Sequence, residues 1–218
     1  MLLPNRCRSS LLLALTAAAV SLVCLVPGLA AAATSFASAS SFTGDPLTVS
    51  VEIDDAVDPG NLVITLEIDD EDRMGDLRGF FAEVTDESLL SGLSVSGDEV
   101  TGSRFEADSV INLGGGSNLN GGGSPCPCDL GVEIGDPGMG RGDDYQSVTF
   151  TLSHVSESLS LDLFADQYFG VRVTSVGGGD EGREGSSKLI GVVPEPSTTV
   201  LMLLGLGGLA ASRPTTRA

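Results

Sequence analysis

Residues 47–53, Leu-Thr-Val-Ser-Val-Glu-Ile, alternate apolar and polar side chains without interruption. The alternation returns at residues 62–68, Leu-Val-Ile-Thr-Leu-Glu-Ile, after an acidic turn that contains Pro59 and Gly60. A period of two residues is that of a β-strand with one buried face. The two stretches therefore predict an antiparallel hairpin.

Short apolar runs continue along the chain between glycine-rich turns. The further predicted strands lie at residues 79–84, 93–95, 109–113, 130–134, 148–152, 159–163, 169–173 and 189–193. A single helical turn is predicted at 86–90, a long surface loop at 112–127, and a loop or the start of a stalk at 177–187. About nine short strands without a long amphipathic helix predict an all-β fold, an antiparallel β-sandwich of jelly-roll or immunoglobulin-like type.

The N-terminal 33 residues have the pattern of a secretory signal peptide. Arg6 and Arg8 precede an apolar stretch at 11–26, and the alanines that follow offer several A-x-A cleavage frames between Ala30 and Thr34. The pattern predicts export through the Sec machinery and removal of residues 1–33. An uncleaved N-terminal anchor is the alternative.

The remaining chain is strongly acidic. Residues 34–193 contain 7 basic and 29 acidic side chains, a net charge of −22. Such a surface repels nucleic-acid phosphates and anionic membranes and attracts cations, so nucleic-acid binding is excluded. The length indicates one domain. We predict a disordered leader at 34–44, because its residues are small and polar, and the β domain at 45–193.

The C-terminal region, residues 194–218, begins with the triplet Pro194-Glu195-Pro196. An apolar run at 198–211 follows, and then Arg213 and Arg217. As a helix this run rises only about 21 Å, less than the roughly 30 Å of a hydrocarbon core, so it predicts a marginal transmembrane helix. The two arginines favour a cytoplasmic C-terminus.

This order of features resembles the PEP-CTERM sorting signal of exosortase-processed bacterial proteins. The resemblance implies a Gram-negative bacterium, transient anchoring in the inner membrane, and cleavage by an exosortase at Pro194, Glu195 and Pro196. It also implies delivery to the cell surface or the exopolysaccharide matrix. The basic end departs from the family in being interrupted by Pro214, where the family usually clusters arginines. An anchor that is never cut is the alternative.

Two acidic turns flank the predicted hairpin and are candidate calcium sites. Clustered carboxylate and amide oxygens are the ligands that Ca²⁺ prefers. The candidate ligands are Asp54, Asp55, Asp58 and Asn61 in the first turn and Asp69, Asp70 and Asp72 in the second. The turns lie at opposite ends of the hairpin, so they need not share an ion. Solvated acidic turns without metal are the alternative. Asp136, Asp143 and Asp144 form a third candidate group.

Cys126 and Cys128 are the two cysteines that remain once the signal peptide is removed. An oxidising compartment favours a disulfide between them. Such a bond closes a very small loop and adds little to global stability. Two cysteines alone do not make a structural zinc site.

No catalytic residue is predicted. His154 is the only histidine, and no G-x-S-x-G nucleophile motif accompanies it, so we interpret it as a solvated residue at a strand end. Carboxylates are plentiful, but a sugar-cleaving cleft normally offers aromatic platforms, and the chain has no Trp and only two Tyr. The tripeptide Arg141-Gly142-Asp143 is too short to indicate adhesion.

The sequence therefore predicts a non-enzymatic, exported surface or extracellular-matrix protein that an exosortase sorts and releases. The alternative is a calcium-dependent carbohydrate-binding module of the exopolysaccharide matrix.

Overall fold

The computed structural model describes residues 34–121, 126–136, 144–178 and 182–195. The chain divides into two units, residues 1–31 and 32–218, and all described residues belong to the second. The predicted signal peptide and the predicted transmembrane helix with its flanking arginines lie outside the described residues, as does the Arg141-Gly142-Asp143 tripeptide. Within the described ranges, no helix has the length and apolar character needed to cross a membrane.

Twelve strands and two short 3₁₀ helices make up the described structure. The strands are β1 (Thr34–Gly44), β2 (Thr48–Asp54), β3 (Leu62–Ile68), β4 (Met74–Ala82), β5 (Leu93–Ser96), β6 (Val100–Phe105), β7 (Asn112–Gly114), β8 (Ser117–Asn118), β9 (Leu130–Ile134), β10 (Ser147–His154), β11 (Tyr168–Gly177) and β12 (Gly185–Val192). The 3₁₀ helices are Glu87–Gly92 and Leu161–Phe164. The predicted all-β class is confirmed, as are the predicted hairpin β2–β3 and the helical turn near residue 87.

Ten strands form one antiparallel sheet in the order β5-β10-β3-β2-β1-β12-β11-β4-β9-β6. The two edge strands, β5 and β6, are consecutive in the chain and are joined by only residues 97–99. This connection brings the edges together, so the sheet is nearly closed. The structure thus has one main sheet in place of the two sheets of the predicted sandwich.

A contact between aromatic rings across the interior demonstrates this closure. Phe80 on β4 and Phe150 on β10 are six places apart in the sheet order, yet their ring centroids lie 5.7 Å apart. Phe169 on β11 stacks on the other side of Phe80, with a centroid distance of 6.2 Å. The alternating side chains of nearly every strand enter the same buried core around these rings.

The antiparallel order gives the sheet two ends. The exit end is the one at which β12 finishes, and it comprises the first residue of β1 and the connections 55–61, 83–92, 106–129, 155–167 and 193–195. The far end comprises the connections 45–47, 69–73, 97–99, 135–146 and 178–184.

The predicted strand at 159–163 is wrong. Leu159, Leu161 and Leu163 are buried in the main core, but 161–164 form a 3₁₀ helix in the connection from β10 to β11. These leucines therefore alternate because their side chains fill the interior at the exit end, although their backbone does not pair with a strand.

The predicted disordered leader at 34–44 is also wrong, because these residues form β1. Thr34 to Ser40 pair with β2, and Ser40 to Gly44 pair with β12. Hydrogen bonds with a strand on each side order the backbone, although Ala39 is its only buried apolar side chain. The sequence of residues 34–44 shows no hydrophobic alternation, because β1 is stabilised by pairing with the two neighbouring strands.

The strap is the segment 106–128, and its described residues, 106–121 and 126–128, cover the outer face of the sheet over β4, β9 and β11. It contains the small β7–β8 hairpin. Leu119, Cys126 and Cys128 pack with Phe81 of β4 in a second buried cluster, outside the main core. The predicted surface loop at 112–127 is therefore partly buried in its described residues, and β4 is covered on both faces.

Glycines in the sheet make room for the strap. A Cβ atom on Gly170 of β11 would collide with the Leu119 side chain, and one on Gly79 of β4 would collide with the Ser117 hydroxyl. Ser117 Oγ donates to the Arg78 carbonyl oxygen at 2.9 Å. Backbone and strap can approach this closely because glycine has no side chain.

We expect Gly170→Ala to destabilise the fold by about 1–3 kcal/mol, because the added methyl overpacks the contact with Leu119. The cost should be smaller in a Leu119→Ala background, where space for the methyl exists. Urea unfolding of the unmodified protein, the two single variants and the double variant measures the cost of Gly170→Ala in each background. Equal costs in the two backgrounds would contradict the close approach of the strap to β11.

Candidate functional site

The triplet Pro194-Glu195-Pro196 begins directly after Val193, the last buried residue in the part of the chain that the structure describes. Val193 is 1% exposed, whereas Pro194 and Glu195 are exposed. The Val193 N–H donates to the Gln167 carbonyl at 3.0 Å, and the Asp166 N–H donates to the Val193 carbonyl at 2.9 Å. These bonds hold the chain at the surface of the exit end, so the triplet leaves the folded domain without an intervening linker. Pro196 lies outside the described residues.

The exit end is acidic throughout. Its connections contain twelve carboxylates, namely Asp55, Asp58, Glu83, Asp86, Glu87, Glu106, Asp108, Asp129, Glu157, Asp162, Asp166 and Glu195. Their sequences contain no lysine or arginine, whereas the described residues of the far-end connections include Arg73 and Arg183. The negative charge of the protein is therefore least compensated where the triplet leaves the domain.

Three of these carboxylates meet at one place, although they are distant in the chain and come from two connections. Oxygen atoms of Glu87, Asp108 and Asp129 all lie within 4.8 Å of one another. Asp129 is buried, and its two oxygens accept the N–H groups of Val84 and Asp108, each at 2.8 Å. Such a trio offers the oxygen ligands of a hard cation. Sequence reasoning missed it, because its members are 21 or more residues apart and share no motif.

The family model for the PEP-CTERM protein-sorting motif matches residues 192–213. The chain carries a PEP-CTERM motif. The match covers the triplet and the apolar run behind it, in agreement with the resemblance found in the sequence. No curated protein and no solved structure matches the chain. The motif supports export and exosortase processing, and it leaves the activity of the β domain open.

The first predicted calcium turn is held by its own hydrogen bonds. Asp54 accepts the Thr34 hydroxyl at 2.7 Å and the N–H groups of Ala56 and Val57 at 2.6 and 3.0 Å. The Thr34 hydrogen bond is the main cause that lowers the pKa of Asp54, and the two N–H groups add to it. Asp58 accepts the Asn61 amide at 2.9 Å. The oxygens thus already have partners within the turn, and calcium binding here stays a prediction.

The second predicted turn lies at the far end. Asp70 accepts the N–H groups of Asp72 and Arg73 at 3.1 and 2.9 Å. The two turns are at opposite ends of the sheet, as the hairpin predicted, and so contribute to separate places. In the third candidate group, Asp144 instead pairs with Arg183, whose hydrogen bond is the main cause that lowers the pKa of Asp144. Asp143 lies outside the described residues.

Cys126 and Cys128 form a disulfide, as the oxidising compartment predicts. Both are buried against the outer face of the sheet at the end of the strap. The Val110 N–H donates to the Cys128 carbonyl at 2.7 Å and links the two ends of the strap.

His154 is the last residue of β10 and lies at the exit end. Its Nδ1 accepts the N–H groups of Ser156 and Glu157 at 3.2 and 3.0 Å. An Nδ1 that accepts two hydrogen bonds shapes the turn after β10, in agreement with the interpretation of a strand-end histidine.

Burial raises the pKa of Glu83, which lies beside the trio. The Tyr168 N–H that Glu83 accepts lowers it, and the charges of Asp129 and Asp108 raise it further. A carboxylate whose pKa is higher in the folded than in the unfolded state opposes folding once it is ionised. The stability that the neutral Glu83 carboxyl contributes is therefore lost as the pH rises from its ordinary pKa of 4.5 through its raised pKa in the folded state.

We expect Glu83→Gln to raise the melting temperature at pH 7 and to have little effect below about pH 4, where the carboxyl is protonated in both states. Thermal unfolding between pH 3 and 8 measures the difference. Glu67→Gln is the matched control, because it removes the same charge from an exposed position of β3. An equal rise in Glu67→Gln would assign the effect to net charge alone.

Proposed function

We propose that this chain is a non-enzymatic surface or extracellular-matrix protein that an exosortase releases from the inner membrane. Residues 198–211 anchor the chain in the inner membrane transiently, and the exosortase cleaves it at the triplet Pro194, Glu195 and Pro196. The observation that carries the proposal is the position of the Pro194-Glu195-Pro196 triplet of the PEP-CTERM motif directly after buried Val193. A cut there releases the whole β domain without removing a core residue.

The non-enzymatic part of the proposal is supported by the environment of the single histidine. His154 Nδ1 accepts two backbone N–H groups of its own turn and so is not free to act as a base. The domain offers a compact, very acidic surface, and this suits a hydrated matrix component.

Intact-mass spectrometry of the protein from the membrane and the medium of the native host tests the proposal. We expect an extracellular species that begins between residues 31 and 34 and ends between residues 193 and 196. A species that retains residues through Ala218 and occurs only in the membrane would leave a permanently anchored protein instead.

A calcium-dependent carbohydrate-binding module is the second candidate function. The trio Glu87, Asp108 and Asp129 favours it, because oxygens that all lie within 4.8 Å of one another can together ligate one hard cation. The trio lies in connections at one end of a β domain, where loops that bind a sugar would also have to lie.

If Ca²⁺ binds the folded state, it should raise the melting temperature, with a stabilisation of about 2.7 kcal/mol at a concentration of 100 times Kd. The double variant Glu87→Gln/Asp108→Asn should abolish the rise if the trio is the site, whereas Asp54→Ala/Asp58→Ala should abolish it if the first turn is the site. Differential scanning calorimetry with and without Ca²⁺ measures it. No rise in the unmodified protein would overturn this candidate.

A further inference from the structure

Exposed apolar side chains are concentrated at the exit end. Seven large hydrophobic residues are exposed among the described residues. Five of them lie in or beside this end: Val57 and Val155 are in its connections, and Phe36, Tyr168 and Val192 are within the first three or the last residue of strands that meet it. Met74 is the first residue of β4 at the far end, and Ile111 belongs to the strap, the part of connection 106–129 that covers the outer face of the sheet. The distribution is therefore uneven along the sheet.

The five side chains protrude from adjoining segments. Tyr168 and Val192 are direct partners in the β11–β12 ladder, at the point where β12 ends. Val155 is 84% exposed and Val57 is 70% exposed, each in a connection of the exit end. A hydrogen bond from the Leu159 N–H to the Gly60 carbonyl, 2.9 Å long, joins these two connections.

The sequence position of the predicted anchor indicates what this end would face. The apolar run begins at Thr198, five residues after buried Val193. Five residues span at most about 17 Å when fully extended. The far end is on the order of 30 Å more distant, since β11 has ten residues that rise about 3.3 Å each. An inserted anchor would therefore hold the exit end close to the bilayer.

We propose that the exit end rests on the membrane surface while the anchor is attached, with these five apolar side chains at the lipid interface. This inference rests on the proposed function, in which residues 198–211 are the anchor. Exposed aromatic and aliphatic side chains partition into the interfacial region of a bilayer.

The charge of the exit end makes this contact depend on the tether. Its twelve carboxylates, without a lysine or arginine, repel anionic lipids. A short tether keeps the domain at a high effective concentration beside the membrane. This sustains contacts that are too weak to hold the free domain there. Cleavage at the PEP-CTERM motif would remove the tether, so repulsion would then favour departure of the domain.

Single tryptophans provide the test, because the chain contains none. The chain that retains residues through Ala218 is reconstituted in phosphatidylcholine vesicles with and without brominated lipid, which quenches tryptophan at the interface. The variants are Val155→Trp at the exit end, Met74→Trp beside the far end as the matched control, and Leu204→Trp in the apolar run. Both domain positions are exposed, so the substitutions should be tolerated.

We expect bromolipid to quench Val155→Trp and Leu204→Trp and to leave Met74→Trp nearly unchanged. Quenched Leu204→Trp with unquenched Val155→Trp would overturn the inference while keeping the anchor, and it would assign the apolar side chains to a protein partner. Equal quenching at residues 155 and 74 would also overturn it, because the domain would then have no preferred end. Unquenched Leu204→Trp would overturn the anchor and this inference with it.

Discussion

Replacement of Pro194, Glu195 and Pro196 by alanine is expected to leave the chain uncut, with residues through Ala218 retained in the membrane fraction. The two prolines keep the backbone extended and remove two N–H donors, and this suits the cleft of a protease. Alanine would allow the helix that is predicted at residues 198–211 to extend towards Val193. Intact-mass spectrometry of membrane and medium should show loss of the released species.

The domain itself should be unaffected by this change, since Pro194 and Glu195 are exposed and lie after the last strand. Pro46→Ala is the matched control, because it replaces an exposed proline at the far end and should leave release intact. Release of the triple-alanine variant at the normal rate would contradict a role of the motif in cleavage. A fall in its melting temperature would instead indicate that the domain had been disturbed.

Phe80→Ala is expected to have the largest effect on stability, about 3–5 kcal/mol. The Phe80 ring is fully buried between Phe150 and Phe169, so its removal leaves a cavity at the point where the two halves of the sheet meet. For a domain of this size the change corresponds to a drop of about 6–20 °C in melting temperature. Urea and thermal unfolding of the released protein measure it.

Phe36→Ala serves as the control, since it deletes the same side chain from a position that is 67% exposed. Its cost should remain within about 0.5 kcal/mol, as is usual for surface substitutions. Similar costs for the two variants would contradict a closed interior around Phe80. A small loss of stability in Phe36→Ala would also agree with a Phe36 side chain that contacts another surface and not the domain itself.

The strands that the sequence predicted best are those with one face in the core and strong alternation. β2, β3 and β10 each direct every second side chain into the interior, so the period of two is visible in their residues. β1 has the same alternation in space but uses Ser35, Ala37 and Ala39 for it, and small side chains conceal the pattern. Leu159, Leu161 and Leu163 show the converse, a visible pattern without a strand.

The candidate sites also differ in how far the sequence alone reveals them. The PEP-CTERM motif is contiguous, and its chemistry depends on the local backbone and on hydropathy, so the residues alone identify it. The trio of Glu87, Asp108 and Asp129 assembles only because the connections 83–92 and 106–129 meet at the exit end. No spacing in the sequence predicts such a meeting.

The sequence by itself determined the β class, the acidic character and the sorting motif, because each depends on composition or on neighbouring residues. Only the tertiary structure decided that ten strands close into one sheet and that the strap covers the outer face. It also placed the motif, the twelve carboxylates and the protruding apolar side chains at one end. These features depend on contacts between residues far apart in the chain, such as Phe80 with Phe150 and Gly170 with Leu119. Local patterns do not encode such contacts, because the free energy of non-local packing decides them.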